Sequence, residues 1–292
     1  MNSTSSAGLT PGRHEFDVDG VRQVYHVAGS GPVCVAHSGG PGIVWAYLRA
    51  PRLEEHFTMV YVEPVGTGAS GRLADRDGYR LDTYVRFLAA VVEHLGEPRV
   101  HLLGHSYGGF VVQRYALDHP ERVAGLALYD TSPVTGAEFW SGAMEGLAAY
   151  PQRYPENPEA AAIPAAFQRA ISATDDETLT SGLREALPVY FADFWARRDE
   201  FAPFAAGVQA WAEPASAQDP VPFDVRDRLG EITAPTVVIV GSYDFICGPR
   251  WAAQLHEGIE GSHLAVLEQS GHFGHVEQPE EFTKAVTELL RP

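Results

Sequence analysis

Three polar residues, Ser106, Asp244 and His272, stand where side chains could together carry out nucleophilic catalysis. Ser106 lies in Gly104-His105-Ser106-Tyr107-Gly108-Gly109, directly after a short apolar run and at the start of a stretch with helical spacing. A serine hydroxyl is a weak nucleophile at neutral pH and must be exposed, aimed and relieved of its proton as it attacks. A tight strand-to-helix turn meets the first two needs, and it demands minimal side chains at 104 and 108 because the turn crowds both neighbours. An acid and then a histidine should follow in chain order, each just past the end of a later strand. Residues 236–240 run into Gly241-Ser242-Tyr243-Asp244, and residues 263–267 are followed by Ser270-Gly271-His272. In such a set His272 removes the Ser106 proton, and Asp244 holds the imidazole tautomer and stabilises its charged form. Asp130 also ends an apolar run and is the rival acid; Asp244 is preferred for its order in the chain and the glycine-containing turn before it.

An acyl-transfer intermediate needs two preorganised N–H donors for its oxyanion. The residue after the nucleophile, Tyr107, supplies one. The glycine-rich stretch Ser38-Gly39-Gly40-Pro41-Gly42 is the source of the second, with Gly40 preferred and Gly39 beside it. His275 follows His272 by three residues, but neither an H-E-x-x-H helix nor a cysteine partner accompanies the pair, so no metal is expected. Cys34 reads as a packed thiol in a strand, and Cys247, close to Asp244, has no catalytic role to fill once Ser106 is in place.

These residues need a scaffold, and the hydrophobic pattern supplies one. Residues 14–28 alternate around Asp19-Gly20 as a hairpin. Apolar runs at 32–36, 57–62, 100–103 and 123–128 then alternate with helical spacing at 81–95 and 107–117. The alternation resumes with a run at 236–240, a helix at 251–257, a strand at 263–267 and a helix at 279–290. That order predicts an α/β fold, a mostly parallel sheet covered by helices on both faces. Residues 133–220 break the alternation with helical stretches at 159–173 and 176–186 and many aromatics, among them Trp140, Phe167, Tyr190 and Trp195. The expected organisation is a flexible tail over 1–13, a core from 14–132 and 221–292, and an inserted helical cap over 133–220.

The net charge of −17, from 21 basic and 38 acidic residues, disfavours nucleic acid and anionic membranes. No apolar run is long enough to span a bilayer and no leader pattern opens the chain, so a cytoplasmic location is expected. No cofactor is called for, and the expected partner is a small-molecule or short-peptide substrate.

Taken together, the motifs resemble the proline iminopeptidase branch of the α/β-hydrolases. That branch carries H-G-G-P-G at the oxyanion loop, D-Q-x-G-x-G-x-S after the next strand and G-x-S-x-G-G at the nucleophile. Here they read Ser38-Gly39-Gly40-Pro41-Gly42, Glu63-Pro64-Val65-Gly66-Thr67-Gly68-Ala69-Ser70 and Gly104 to Gly109. The resemblance covers residues 14–132 and 220–290 and implies hydrolysis of an ester or amide through an acyl-serine. It also implies acidic side chains near the cap that bind a substrate ammonium, for which Glu213 is the candidate. The position after Asp244, glutamate in some members, is Phe245, expected to contact the substrate but offering no countercharge. Carbon–carbon bond hydrolysis or acyl transfer on the same triad remains open, as does a ligand-binding homologue without catalysis. Haloalkane dehalogenases and epoxide hydrolases place aspartate where Ser106 stands.

Overall fold

The computed structural model describes residues 7–40, 42–75, 78–212 and 222–291. Eight strands form one sheet in the order β1-β2-β4-β3-β5-β6-β7-β8. The hairpin of β1 (Gly12–Val18) and β2 (Val21–Gly29) is antiparallel, as is the pairing of β2 with β4 (Thr58–Glu63). All other pairings are parallel, through β3 (Val33–His37), β5 (Val100–His105), β6 (Val123–Tyr129), β7 (Thr236–Gly241) and β8 (His263–Leu267). Residues 7–13, expected as part of the tail, already carry structure. A short turn over Ala7–Leu9 is tied down where Tyr25 Oη donates to Gly8 O at 3.0 Å, and β1 already starts at Gly12.

β3, β5 and β7 are buried along their whole length, as strands covered on both faces must be. Their alternation divides the core in two. Val35, Leu102, Leu126, Leu128, Val238 and Val240 face one hydrophobic cluster, while Cys34, Ala36, Leu103, Ala127, Val237 and Ile239 face the other. Helices α1 (Leu81–Leu95) and α2 (Tyr107–Asp118) cover the first face; α1 buries Tyr84, Leu88, Val91 and Leu95 and stops at Gly96 in the left-handed region. Phe282, Ala285 and Val286, near the chain end, cover the second face.

Four helices lie between β6 and β7: α3 (Ala137–Ala149), α4 (Pro158–Ile171), α5 (Asp176–Ala186) and α6 (Arg198–Gly207). Among the described residues α3, α4 and the end of α5 share a small core of their own, built on Leu147, Tyr150, Ile163, Phe167 and Val189, while α6 packs through Phe201 and Phe204 into the cluster on the second sheet face. After β7 come α7 (Pro249–Gly258), the single turn α8 (Gly274–Glu277) and α9 (Pro279–Thr287). α3 and α6 went unpredicted because Ala, Gly and Pro blur their periodicity.

Candidate active site

Ser106 is the residue between β5 and α2, with φ +54° and ψ −120°. Such a conformation costs a non-glycine residue about 1–3 kcal/mol, so its surroundings must hold it. They do: Ser106 N–H donates to Tyr129 O at 3.0 Å, and Thr131 Oγ1 donates to Ser106 O at 2.8 Å. The crowding expected at 104 and 108 is present. A Cβ on Gly104 would stand 2.4 Å from Gly108 O, and one on Gly108 would stand 2.2 Å from His37 O.

His272 Nδ1 donates to Asp244 Oδ2 at 2.8 Å, and both side chains are buried. Asp244 Oδ1 accepts the Ile246 and Cys247 N–H groups at 2.9 and 3.1 Å, so three donors converge on this carboxylate. The rival acid, Asp130, uses Oδ1 to accept Gly241 N–H at 2.8 Å. Of the two, Asp244 is the carboxylate bonded to His272.

Ser106 and His272 open onto one cavity of about 290 Å³, shared with Gly39 and Gly40. Gly39 N–H is engaged by Tyr47 Oη at 2.6 Å, and Gly40 stands beside it at φ +127° on the cavity lining. Tyr107 N–H belongs to the first turn of α2, directly after Ser106. The rest of the wall is apolar and comes mainly from the helical segment: Phe167 on α4, Leu183 on α5, Phe204 on α6, together with Leu187, Tyr190 and Trp211. No Lys, Arg, Asp or Glu lines it among the described residues. Phe245 is set one layer back, edge-on to Phe167 and Tyr190, so it supports the wall where the sequence suggested substrate contact. Glu213 lies outside the described residues.

Three residues not singled out from the sequence organise the floor. Tyr47 Oη, already accepting from Gly39, donates to His105 Nδ1 at 2.6 Å, and His105 Nε2 donates to His272 O at 2.8 Å. One relay thus joins the oxyanion loop, the serine turn and the histidine loop. Burial, reinforced by His272 and His275, holds the His105 imidazole well below its usual pKa, so it stays neutral. Tyr190 O accepts His272 N–H at 2.7 Å. Glu277 accepts Gly271 N–H at 2.6 Å and Ala192 N–H at 2.8 Å, tying the histidine loop to the helical segment. Burial raises its carboxyl to about 7 against these stabilising bonds. None of the three stood in a motif, so no local signal marked them.

His275 is consumed locally: Nε2 donates to Tyr47 O at 2.7 Å and Nδ1 accepts from Tyr129 Oη at 3.0 Å. Two donor sets, His105/Asp130/His272 and Asp244/Cys247/His272, have their atoms within 4.8 Å of one another. In the second, burial and then the neighbouring carboxylates push the Cys247 thiol well up, whereas a metal needs the thiolate, and Asp244 and His272 already bind each other. No helix among the described residues is long and apolar enough to cross a membrane.

A strained serine between strand and helix, followed in the chain by an Asp–His pair on later strand ends, has its counterpart among known proteins. The sequence model of the alpha/beta hydrolase fold matches residues 32–279. The chain belongs to this family. This alpha/beta hydrolase is an enzyme of the serine hydrolase type. It is 30% identical over 271 residues to the 2-hydroxy-6-oxononadienedioate/2-hydroxy-6-oxononatrienedioate hydrolase of Klebsiella pneumoniae subsp. pneumoniae, covering 90% of this chain and 88% of the relative. An esterase from Exiguobacterium antarcticum superposes with a TM-score of 0.70 at 25% identity, covering 97% of this chain and 100% of that one. A proline iminopeptidase from Mycobacterium smegmatis has a TM-score of 0.69 at 23% identity, over 95% and 97% of the two chains, a likeness of fold. The iminopeptidase branch expected from the motifs is therefore matched in fold, while the sequence relative carries the dienedioate hydrolase name.

Proposed function

We propose that this hydrolase cleaves a carbon–carbon bond beside a ketone, with Ser106 as nucleophile, His272 as base, Asp244 as the acid behind it, and Gly40 and Tyr107 N–H groups receiving the oxyanion. The observation that carries the choice against an aminopeptidase is the cavity wall, which presents no carboxylate to a substrate ammonium among the described residues. The relative supports the bond type by chemistry. A 2-hydroxy-6-oxononadienedioate has no ester or amide, so a hydrolase acting on it must break a carbon–carbon bond. Ser106 Oγ adds to the ketone as His272 takes its proton. The bond then breaks toward the carbon stabilised as an enolate by its own carbonyl, and that carbon receives the proton from His272. Water, deprotonated by His272, releases the acyl group as a carboxylate.

The same wall separates this chain from a dienedioate substrate, because among the described residues it offers no cation to two carboxylates. The favoured substrate is a diketone with uncharged, apolar arms closed in by the helical cap. A second reading, hydrolysis of a neutral ester or lactone, rests on that charge-free wall and on the likeness to the esterase. A neutral 1,3-diketone, short-chain nitrophenyl esters and proline nitroanilide separate the three. Diketone turnover lost in Ser106→Ala is the expected result. Ester turnover alone would replace the first reading by the second, and proline amide cleavage would overturn both.

A further inference from the structure

The carboxyl that the catalytic geometry leaves out, Asp130, is fully buried at the end of β6, directly beside the turn that carries Asp244. It is held there firmly. Its backbone sits at φ +42°, its N–H donates to Ile239 O at 2.8 Å, and its Oδ1 accepts Gly241 N–H. Oδ2 has no hydrogen-bond partner, the Asp244 carboxyl interacts with it electrostatically, and a His272 ring nitrogen lies within 4.8 Å of each of the two carboxylates. Two carboxylates cannot hydrogen-bond to each other without a proton, and two buried like charges in contact repel strongly. Donor counts say where the proton resides. Asp244 receives three N–H donors, which favour its charged form, whereas Asp130 receives one.

We propose that Asp130 and Asp244 hold one proton between them, and that Asp130 is a positioning residue which donates it to fix the Asp244 carboxylate against His272. The inference rests on the roles proposed above for Ser106, Asp244 and His272. Apart from the Gly241 N–H on Oδ1, the groups facing Asp130 keep the proton in place. Burial first, then the Asp244 charge, and further off Glu277, push its carboxyl well above the usual range. His105 and His272, with ring nitrogens within 4.8 Å, approach from β5 and the last loop; Cys247 and Tyr129 complete the surroundings, and both are held protonated.

Asp130→Asn keeps a donor toward Asp244, and Asp130→Leu removes it. Leucine should lower kcat roughly 10- to 100-fold with KM little changed, while asparagine restores kcat to within about fivefold of wild type. Thermal unfolding against pH tests the proton without reference to catalysis. Asp130 ionises near pH 4 in the unfolded chain but not in the native one, so wild type loses stability as pH rises from that point. The Tm of Asp130→Asn should therefore climb relative to wild type between pH 4 and 8. An infrared carboxylic-acid band at about pH 9, above the titration of Glu277, present in wild type and absent from Asp130→Asn, is expected as well. A relative Tm that falls with rising pH, a missing band, or asparagine as damaging as leucine would overturn the shared proton. Failure of Ser106 to react with a fluorophosphonate would instead defeat the serine mechanism and leave the infrared and stability results to be read alone.

Discussion

The floor of the cavity and its wall are built on opposite principles. The floor is a lattice of buried polar groups on strand ends, in which Gly39, Tyr47, His105, His272 and Asp244 are linked in sequence by bonds of 2.6–2.8 Å. The wall is aliphatic and aromatic, drawn from helices that pack partly on the sheet-face core and partly around a small core of their own. Polar contacts in a low dielectric are directional and costly to leave unmade, so the floor tolerates little change. Dispersion and burial are non-directional, so the wall can vary while still excluding water. The lesson is a division of labour: reaction type resides in the floor and substrate choice in the wall.

The largest effect is expected on the floor. Asp244→Asn keeps the shape but presents a donor to His272 Nδ1, and kcat should fall by about 10,000-fold in steady-state assays. A charge in the wall should act on selectivity. Leu183→Arg should shift the kcat/KM ratio for an acidic diketone over a neutral one by roughly 10- to 100-fold, with Ser106 labelling retained; an unchanged ratio would separate wall from selectivity. Smaller is Tyr47→Phe, which strips partners from Gly39 N–H and His105 Nδ1. About 1–3 kcal/mol of stability should be lost in denaturant unfolding, with a fall in kcat if the relay orders the floor.

The smallest effect concerns the seam between the two regions. The Glu277 carboxyl, raised to about 7 in the native state, ionises near 4.5 once unfolded. Its contribution to stability is whole below pH 4.5 and is lost as pH rises to 7. Glu277→Gln should flatten that part of the Tm–pH curve, whatever constant offset follows from losing an acceptor for Gly271 and Ala192. An unchanged slope would mean the carboxyl is already charged at acid pH.

The chemistry was legible where it is local. Turn composition and strand–helix alternation marked Ser106, Asp244 and His272, because an exposed nucleophile on a tight turn needs glycines within a few residues of it. The same was true of the sheet, since fully covered strands must read as unbroken apolar runs. Two points were not legible. Phe245 was expected to touch substrate and instead backs the wall, because its direction is set by packing against Phe167 and Tyr190. Tyr190, Tyr47 and Glu277 belong to no motif and act through partners far along the chain.

By itself, then, the sequence determined the fold class, the order of the three candidate catalytic groups and the turn chemistry that presents them, all consequences of spacing within short segments. Only the tertiary structure decided between Asp244 and Asp130. Both end a strand, and the choice turned on which carboxylate His272 reaches and how many N–H groups surround each. It also decided the charge of the wall, because that depends on which faces of four helices turn toward Ser106. Such contacts join residues through space, where neither periodicity nor local turn chemistry has any reach.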